Sequence, residues 1–369
     1  MKITFEKQNL SKALDTVQRA AQNKITSNTN NGIYISALNG QIEFQANDYS
    51  IGIKTICEGK IEEEGSVVIL SHFLPEMIKR LPEGIVTIEQ KKNENTVQIT
   101  CGKTINKFLT KNIDDFPMLQ EMDHQNHFFI DSQTLKDMTA LTQFAASTDK
   151  QKPFFTGILF EVEKTRFSMA ATNTHRLAAK DFTLEKEASA NGRMIVPSGI
   201  MSDVTRLLPS EDPVSVEISW ARSHIAFTFG SVYFISTLIS GEYPDYHRVI
   251  PDHFDSTVVL DRRLFTEAIG RASLLSRDVS YNTINFSFKD DAVDISVEDK
   301  DVGAINETVP ASLTGDDVEI VFNCFYIEDI LKHSSGNTIT LHLLKNGPML
   351  VEQENDPSYS YVVTPMRGH

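Results

Sequence analysis

The stretch ATNTHRLAA, residues 171–179, sets His175 and Arg176 in a frame of small and apolar residues. A histidine does acid–base work when a nucleophile or an orienting carboxylate stands within hydrogen-bond reach. Reach is a property of the fold, so three roles stay open for His175 at this level. It could be a general base, a structural strand edge with Thr172 and Thr174 as hydrogen-bond partners, or part of a site for a peptide or other partner. The carboxyl end offers a second feature, YSYVVTPMRGH, in which an apolar strand runs into Pro365 and Met366. Such a tail can line a groove, and methionine adapts to varied apolar partners; the plain alternative is a last strand with a frayed end.

Other chemistry is hard to find. The chain contains no GxxxxGK[ST] phosphate loop, GxGxxG turn, GxSxG elbow or HExxH helix. Glu62, Glu63 and Glu64 form a run of like charge that prefers water, so a solvated loop is expected there. The 10 histidines show no metal-ligand spacing with cysteine or aspartate, and no cofactor or metal is expected. The 3 cysteines, Cys57, Cys101 and Cys324, are scattered and lack CxxC spacing, which points to a reducing cytoplasmic setting. No apolar run reaches the ~20 residues of a membrane span, and MKITFEKQNL lacks the apolar stretch of a signal peptide.

The elements that must position these residues come in three copies with a period of about 125 residues. Each copy opens with an amphipathic helix: Leu10, Leu14 and Val17 mark the first, Leu135, Met138 and Leu141 the second, Phe265, Ala268 and Ile269 the third. Alternating stretches follow, GIYISALNGQIEFQAND, GILFEVEKTRFSMAATN and TINFSFKDDAVDISVED, each broken by a polar turn as in an antiparallel hairpin. A second helix and a second hairpin complete each copy. DDFPML and GEYPDY close the first two copies alike, with Pro117 and Pro244 separated by 127 residues. The expected fold is α+β, three tandem similar domains of two helices on antiparallel sheets, divided at 1–125, 126–253 and 254–369.

Charge is sorted by element. The chain carries a net charge of −15, which by itself argues against nucleic acid, yet the six helical windows hold ten basic and eight acidic residues. A helical surface of this kind could tolerate a phosphate backbone that the rest of the chain would repel. The plainer alternative is that helix faces of any soluble protein carry lysine and arginine. No helix-turn-helix, zinc finger or aromatic RNP motif is present, so contact would be to the backbone and without sequence preference.

Taken together, ATNTHRLA, SGEYPDYHRVIP and YVVTPMR, at their relative distances in a threefold repeat, resemble the bacterial DNA polymerase III beta subunit, the replicative sliding clamp, over the whole chain. The resemblance implies a DNA clamp fold in a ring-forming homodimer that encircles double-stranded DNA and does no catalysis. It implies as partners the DNA polymerase III alpha subunit, the clamp loader delta subunit and other proteins with a clamp-binding motif, with no membrane. It implies a peptide-binding pocket between the second and third domains formed by Phe155, Thr172, Thr174, His175, Arg176, Leu177, Pro244, Arg248, Val249, Tyr281, Asn323, Tyr326, Met349, Val362, Val363, Pro365, Met366 and Arg367. It assigns DNA contact to Lys24, Lys79, Arg80, Lys150, Arg206 and Arg277, and the subunit contact to an exposed Phe108 facing the pair Leu274 and Leu275. The chain departs from the family at Thr174, where many members carry glycine, at Phe155, often aliphatic, and in running past Arg367 to Gly368 and His369. Two rivals remain at this stage, a repeat-built scaffold that binds peptides but not DNA, and an enzyme using His175.

Overall fold

The structure, a computed structural model, describes residues 1–21, 32–70, 73–91, 94–277 and 282–366. Among the described residues, six α-helices fall where the periodicity places them: α1 Lys7–Ala21, α2 Leu74–Arg80, α3 Ser132–Thr142, α4 Ser198–Leu207, α5 Arg262–Ser276 and α6 Cys324–His333. After α3 ends at Thr142 the chain tightens into a 3₁₀ turn over Gln143–Ala145. In α1 the expected stripe is buried, with Leu10, Leu14 and Val17 fully inaccessible. The helices α3 and α5 begin at matching aspartates. Asp131 accepts hydrogen bonds from the backbone N–H groups of Gln133 and Thr134 at 2.9 and 3.0 Å. Asp261 accepts one from Leu264 at 2.8 Å, and each cap satisfies donors that the first turn leaves without intrahelical partners.

The contacts of the chain gather into two compact units, the first comprising Met1–Thr134, Lys186–Ala190 and Ser202–Leu238, the second Leu135–Glu185, Asn191–Met201 and Ile239–His369. Each unit therefore holds an outer third of the chain and a share of the middle third. The first contains a 13-stranded sheet and the second a 12-stranded one, and every strand pair in them is antiparallel. The hairpins expected from alternation occur as Gly32–Leu38 with Gln41–Asn47, Gly157–Glu163 with Arg166–Thr172, and Thr283–Lys289 with Ala292–Asp299. Asn39 and Gly40, both at positive φ (52° and 77°), make the first of these turns, as a tight hairpin requires.

In the first unit, α1 rests on strands Gln41–Asn47 and Ile51–Ile56 and against α2; in the second, α5 rests on Ala292–Asp299 and Gly303–Gly315 and against α6. One pairing in each unit carries the middle third into its neighbour's sheet. In the first unit Val232–Thr237 pairs with Ile51–Ile56. In the second Arg176–Thr183 pairs with Tyr359–Val363, setting Leu177 opposite Val362 and Arg176 opposite Val363. The second pairing lays the floor of the site described below. Among the described residues no helix is long and apolar enough to cross a membrane, and Cys57, Cys101 and Cys324 are buried free thiols.

Gly157 begins a strand against that floor. A Cβ there would stand 2.6 Å from a methyl of Ile195 and 2.8 Å from the backbone oxygen of Val196. Because one obstacle is backbone, the strand must move. Gly157→Ala is expected to lower stability by about 1–3 kcal/mol, read as a reduced urea midpoint, whereas Gly199→Ala, whose Cβ would meet nothing within 4 Å, should not.

Candidate peptide-binding site

A cavity of about 530 Å³ opens in the second unit where strands Arg166–Thr172 and Arg176–Thr183 meet the loop 243–251 and the last two strands. Its apolar lining comes from Phe155, Leu177, Tyr243, Pro244, Tyr246, Val249, Pro251, Leu344, Pro348 and Val362, and its polar lining from Thr172, Thr174, His175, Arg176, Asp245, Arg248 and Thr364. The floor is continuous with a buried cluster that includes Leu159, Ala170, Ala179, Ile195 and Leu350. Leu177 and Val362 are cross-strand partners, so the ladder itself sets them side by side. Phe155 meets Tyr243 edge to face at 5.8 Å between ring centroids. The Tyr243 hydroxyl accepts the Thr172 N–H at 3.0 Å, and burial pushes its pKa above the ordinary tyrosine range. A leucine or phenylalanine side chain entering such a lining would gain about 1.5–3 kcal/mol from leaving water.

The turn between the two strands is organised by its own side chains. The side-chain oxygen of Asn173 accepts the N–H groups of His175 and Arg176, each at 3.0 Å. Thr172 Oγ1 accepts the Thr174 N–H at 3.1 Å and donates to the Arg176 carbonyl at 2.6 Å. Over its described residues, to Met366, the tail is held by hydrogen bonds. The His175 carbonyl accepts both the N–H and the hydroxyl of Thr364 at 2.9 and 3.0 Å, and Met366 donates its N–H to Val321 at 2.8 Å.

Arg176 has a different task from its neighbours. Its side chain is only 9% exposed and bonds Asp329 of α6 at 2.6 Å. It also donates to the backbone carbonyl of Phe144. The guanidinium lies over the rings of Phe144 and Tyr326 at 5.4 and 4.8 Å, a stacking geometry that a planar cation favours. It ties the 3₁₀ turn after α3 to α6, and the residue also lines the cavity. At the mouth, Arg248 is 84% exposed and bonds Asp245 at 3.0 Å.

Ten of the residues named for the pocket line this cavity: Phe155, Thr172, Thr174, His175, Arg176, Leu177, Pro244, Arg248, Val249 and Val362. Tyr281 and Arg367 lie outside the described residues. Six others do not line it. Val363 and Met349 are paired with one another and buried, because side chains alternate across a strand and Val362 takes the cavity side. Asn323 caps α6 by accepting the Phe325 N–H at 3.0 Å. Tyr326 packs against Arg176 and, through its hydroxyl, accepts a hydrogen bond from Asn173 at 3.3 Å. Pro365 and Met366 lie beyond Thr364, which takes the rim position instead. Sequence reasoning missed Tyr243, Asp245, Tyr246, Pro251, Leu344, Pro348 and Thr364 as lining residues. GEYPDY carried a usable signal, since an aromatic on either side of Pro244 packs wherever proline does.

Of the cations named for DNA, Lys79 and Arg206 line one cleft of about 570 Å³ in the first unit, with Lys7, Lys12 and Arg19. Lys79 pairs with Asp15 at 2.7 Å and Arg80 with Glu76 at 2.8 Å, both exposed. Lys150 and Arg277 are exposed on the second unit, and Lys24 lies outside the described residues. For the subunit contact, Leu274 is 66% exposed but Leu275 is in the core at 4%. The expected leucine pair is therefore corrected to Leu274 alone, since adjacent residues of a helix turn about 100° apart. Phe108 is half-buried, and its strand exposes Ile105 (60%) and Leu109 (71%).

Three sequence profiles of the DNA polymerase III beta subunit match the chain in tandem: the N-terminal domain over residues 1–120, the central domain over 129–245 and the C-terminal domain over 247–367. The chain belongs to the DNA polymerase III beta subunit family. Among its relatives in that family is the beta sliding clamp of Staphylococcus aureus (strain Mu50 / ATCC 700699), 28% identical with all of both chains covered. Solved structures are similar throughout. The DNA polymerase sliding clamp of Bacillus subtilis has a TM-score of 0.95 at 27% identity, and the DnaN sliding clamp of Pseudomonas aeruginosa 0.94 at 26%, each with complete coverage of both chains.

The geometry gives Arg176 a structural contact that the other lining residues lack. Arg176→Ala and Asp329→Ala should each lower stability, and a double-mutant cycle should return a coupling of about 1.5–3 kcal/mol, the range for a charge-assisted hydrogen bond. A coupling near zero in equilibrium unfolding would show that the pair does not tie the two elements.

Proposed function

We propose that this chain is a DNA sliding clamp, a non-catalytic processivity factor of the cytoplasm. Two copies form a ring around duplex DNA and tether the replicative polymerase, the clamp loader and repair proteins through the cavity above. The tandem match of three beta-subunit domains along the full chain carries this reading. Its domains divide at 1–125, 126–253 and 254–369, and the pocket takes its walls from the second and third. The partners are the DNA polymerase III alpha subunit, the loader's delta subunit and other proteins with a short motif bearing leucine or phenylalanine, an occupant that suits an apolar floor with a few placed polar groups.

Open strand edges favour the ring. Strand Thr104–Lys111 is paired along its length with Thr96–Cys101, yet on its other side only Thr110 and Lys111 find partners among the described residues. In the second unit, Gly303–Pro310 is paired with Ala292–Asp299, and the partner on the opposite side begins only at Ala311. An uncovered edge with exposed Ile105 and Leu109, and one beside exposed Val302 and the exposed Leu274 of α5, are liabilities that a second copy removes. A head-to-tail contact of one edge with the other closes into a ring when a twofold rotation relates the copies. Within the ring, Lys24, Lys79, Arg80, Lys150, Arg206 and Arg277 would meet phosphates without sequence preference. Because encirclement holds the complex, the contacts need only be weak.

Two measurements test these assignments. By sedimentation the chain should run as a dimer at micromolar concentration and Leu274→Asp as a folded monomer; dimerisation unchanged by that variant would move the interface elsewhere. Val249→Asp, at a residue 52% exposed on the cavity wall, should weaken binding of a leucine- and phenylalanine-bearing peptide at least tenfold without lowering the melting temperature. Equal affinity would place the peptide site elsewhere.

A further inference from the structure

The turn that lines the cavity has a counterpart about 125 residues earlier in the chain, and both hold a bulky residue where glycine is easiest. Thr174 has φ 78° and Tyr49 has φ 70°. The hydrogen bonds match position for position. Asp48 accepts the N–H groups of Ser50 and Ile51 at 3.0 and 2.7 Å, as Asn173 accepts those of His175 and Arg176. Asn47 accepts the Tyr49 N–H at 2.9 Å, as Thr172 accepts that of Thr174 at 3.1 Å. The backbone N–H of Asp48 reaches the Ile51 carbonyl at 3.0 Å and that of Asn173 the Arg176 carbonyl at 3.3 Å.

Positive φ goes with the further bond in which Asn47 or Thr172 accepts the N–H of Tyr49 or Thr174. In the third repeat Asp299 accepts the Asp301 and Val302 N–H groups at 2.8 and 2.9 Å with Lys300 outside the positive-φ region. A Cβ in that region crowds the neighbouring carbonyl, and a β-branched residue there is an outlier. Thr174 tolerates the strain because Asn173, Thr172 and the Thr364 contacts to the His175 carbonyl over-determine the loop. Tyr49 carries the same backbone strain away from the cavity, so what distinguishes Thr174 is its place: only the middle copy of the turn lines the cavity. Thr174 is exposed and also lines it, so its methyl and hydroxyl stand at the mouth.

We propose that Thr174 is a specificity-determining residue of the cavity: the strained turn fixes its side chain at the mouth, where it limits the width of the group that can enter. This rests on the reading of the cavity as a peptide site. A rigid turn is needed for the role, since a residue free to rotate aside would exclude nothing.

The test compares two acetylated, fluorescently labelled pentapeptides, one ending in Leu-Phe and one in Leu-Trp, on wild type, Thr174→Gly and Tyr49→Gly. Thr174→Gly should raise affinity for the tryptophan peptide at least fivefold while changing that for the phenylalanine peptide less than twofold. Both glycine variants should melt no lower than wild type, and Tyr49→Gly should leave the ratio of affinities unmoved. If both peptides bind wild type but Thr174→Gly leaves their ratio unchanged, the role at the mouth is overturned and the peptide site stands. If Tyr49→Gly moves the ratio as much, the effect is general and the proposal fails. If Val249→Asp has no effect on either peptide, the peptide site itself is wrong and the proposal falls with it.

Discussion

The pairing of strand Arg176–Thr183 with Tyr359–Val363 is the constraint on which the candidate site depends. Without it, Leu177 from the middle third and Val362 from the last third have no reason to meet. With it, they are cross-strand neighbours, and strand alternation turns both toward the same cavity while Val363 takes the other side. The loop 243–251 then needs only to fold over a floor already made. Tyr243 does so by accepting the Thr172 N–H and packing on Phe155. The same arrangement explains why the site is largely preformed. Its polar groups are spent on the turn, on the tail and on α6, so an incoming side chain finds an apolar surface with few bonds to break.

The division of labour within His175–Arg176 follows from that pairing. His175 gives its backbone to Asn173 and Thr364 and leaves its ring exposed, parallel to Tyr326 at 6.5 Å. Arg176 turns its guanidinium onto Asp329 and the two aromatic rings, out of water. A buried cation without such partners would cost several kcal/mol. The residue is therefore as much a joint between elements as a lining group.

Much of the fold was legible because the chain says the same thing three times. Helix periodicity, hairpin alternation and the paired Phe-Pro and Tyr-Pro closures agree across copies, and the six helices and their hairpins occur accordingly. The pairing between thirds was not legible, since it depends on strands far apart in sequence whose individual patterns do not name a partner. That is also why the lining was only partly recovered. Val362 and Leu177 could be named from motifs, but the choice between Val362 and Val363, or between Leu274 and Leu275, is one of facing. A shift of one residue reverses it. Pro348 and Leu344 carry no motif at all and line the cavity only because the turn between Thr338–Leu343 and Met349–Gln353 brings them there.

A net charge of −15 is unfavourable for a protein that holds DNA by affinity and unobjectionable for one that holds it by encirclement. The two cases separate in one measurement, retention on DNA of different topology. Loaded onto nicked circular DNA by a clamp loader and passed through a sizing column at physiological salt, the protein should stay with the circle. It should be lost once that circle is cut by a restriction enzyme. Retention on the linear product equal to that on the circle would contradict encirclement.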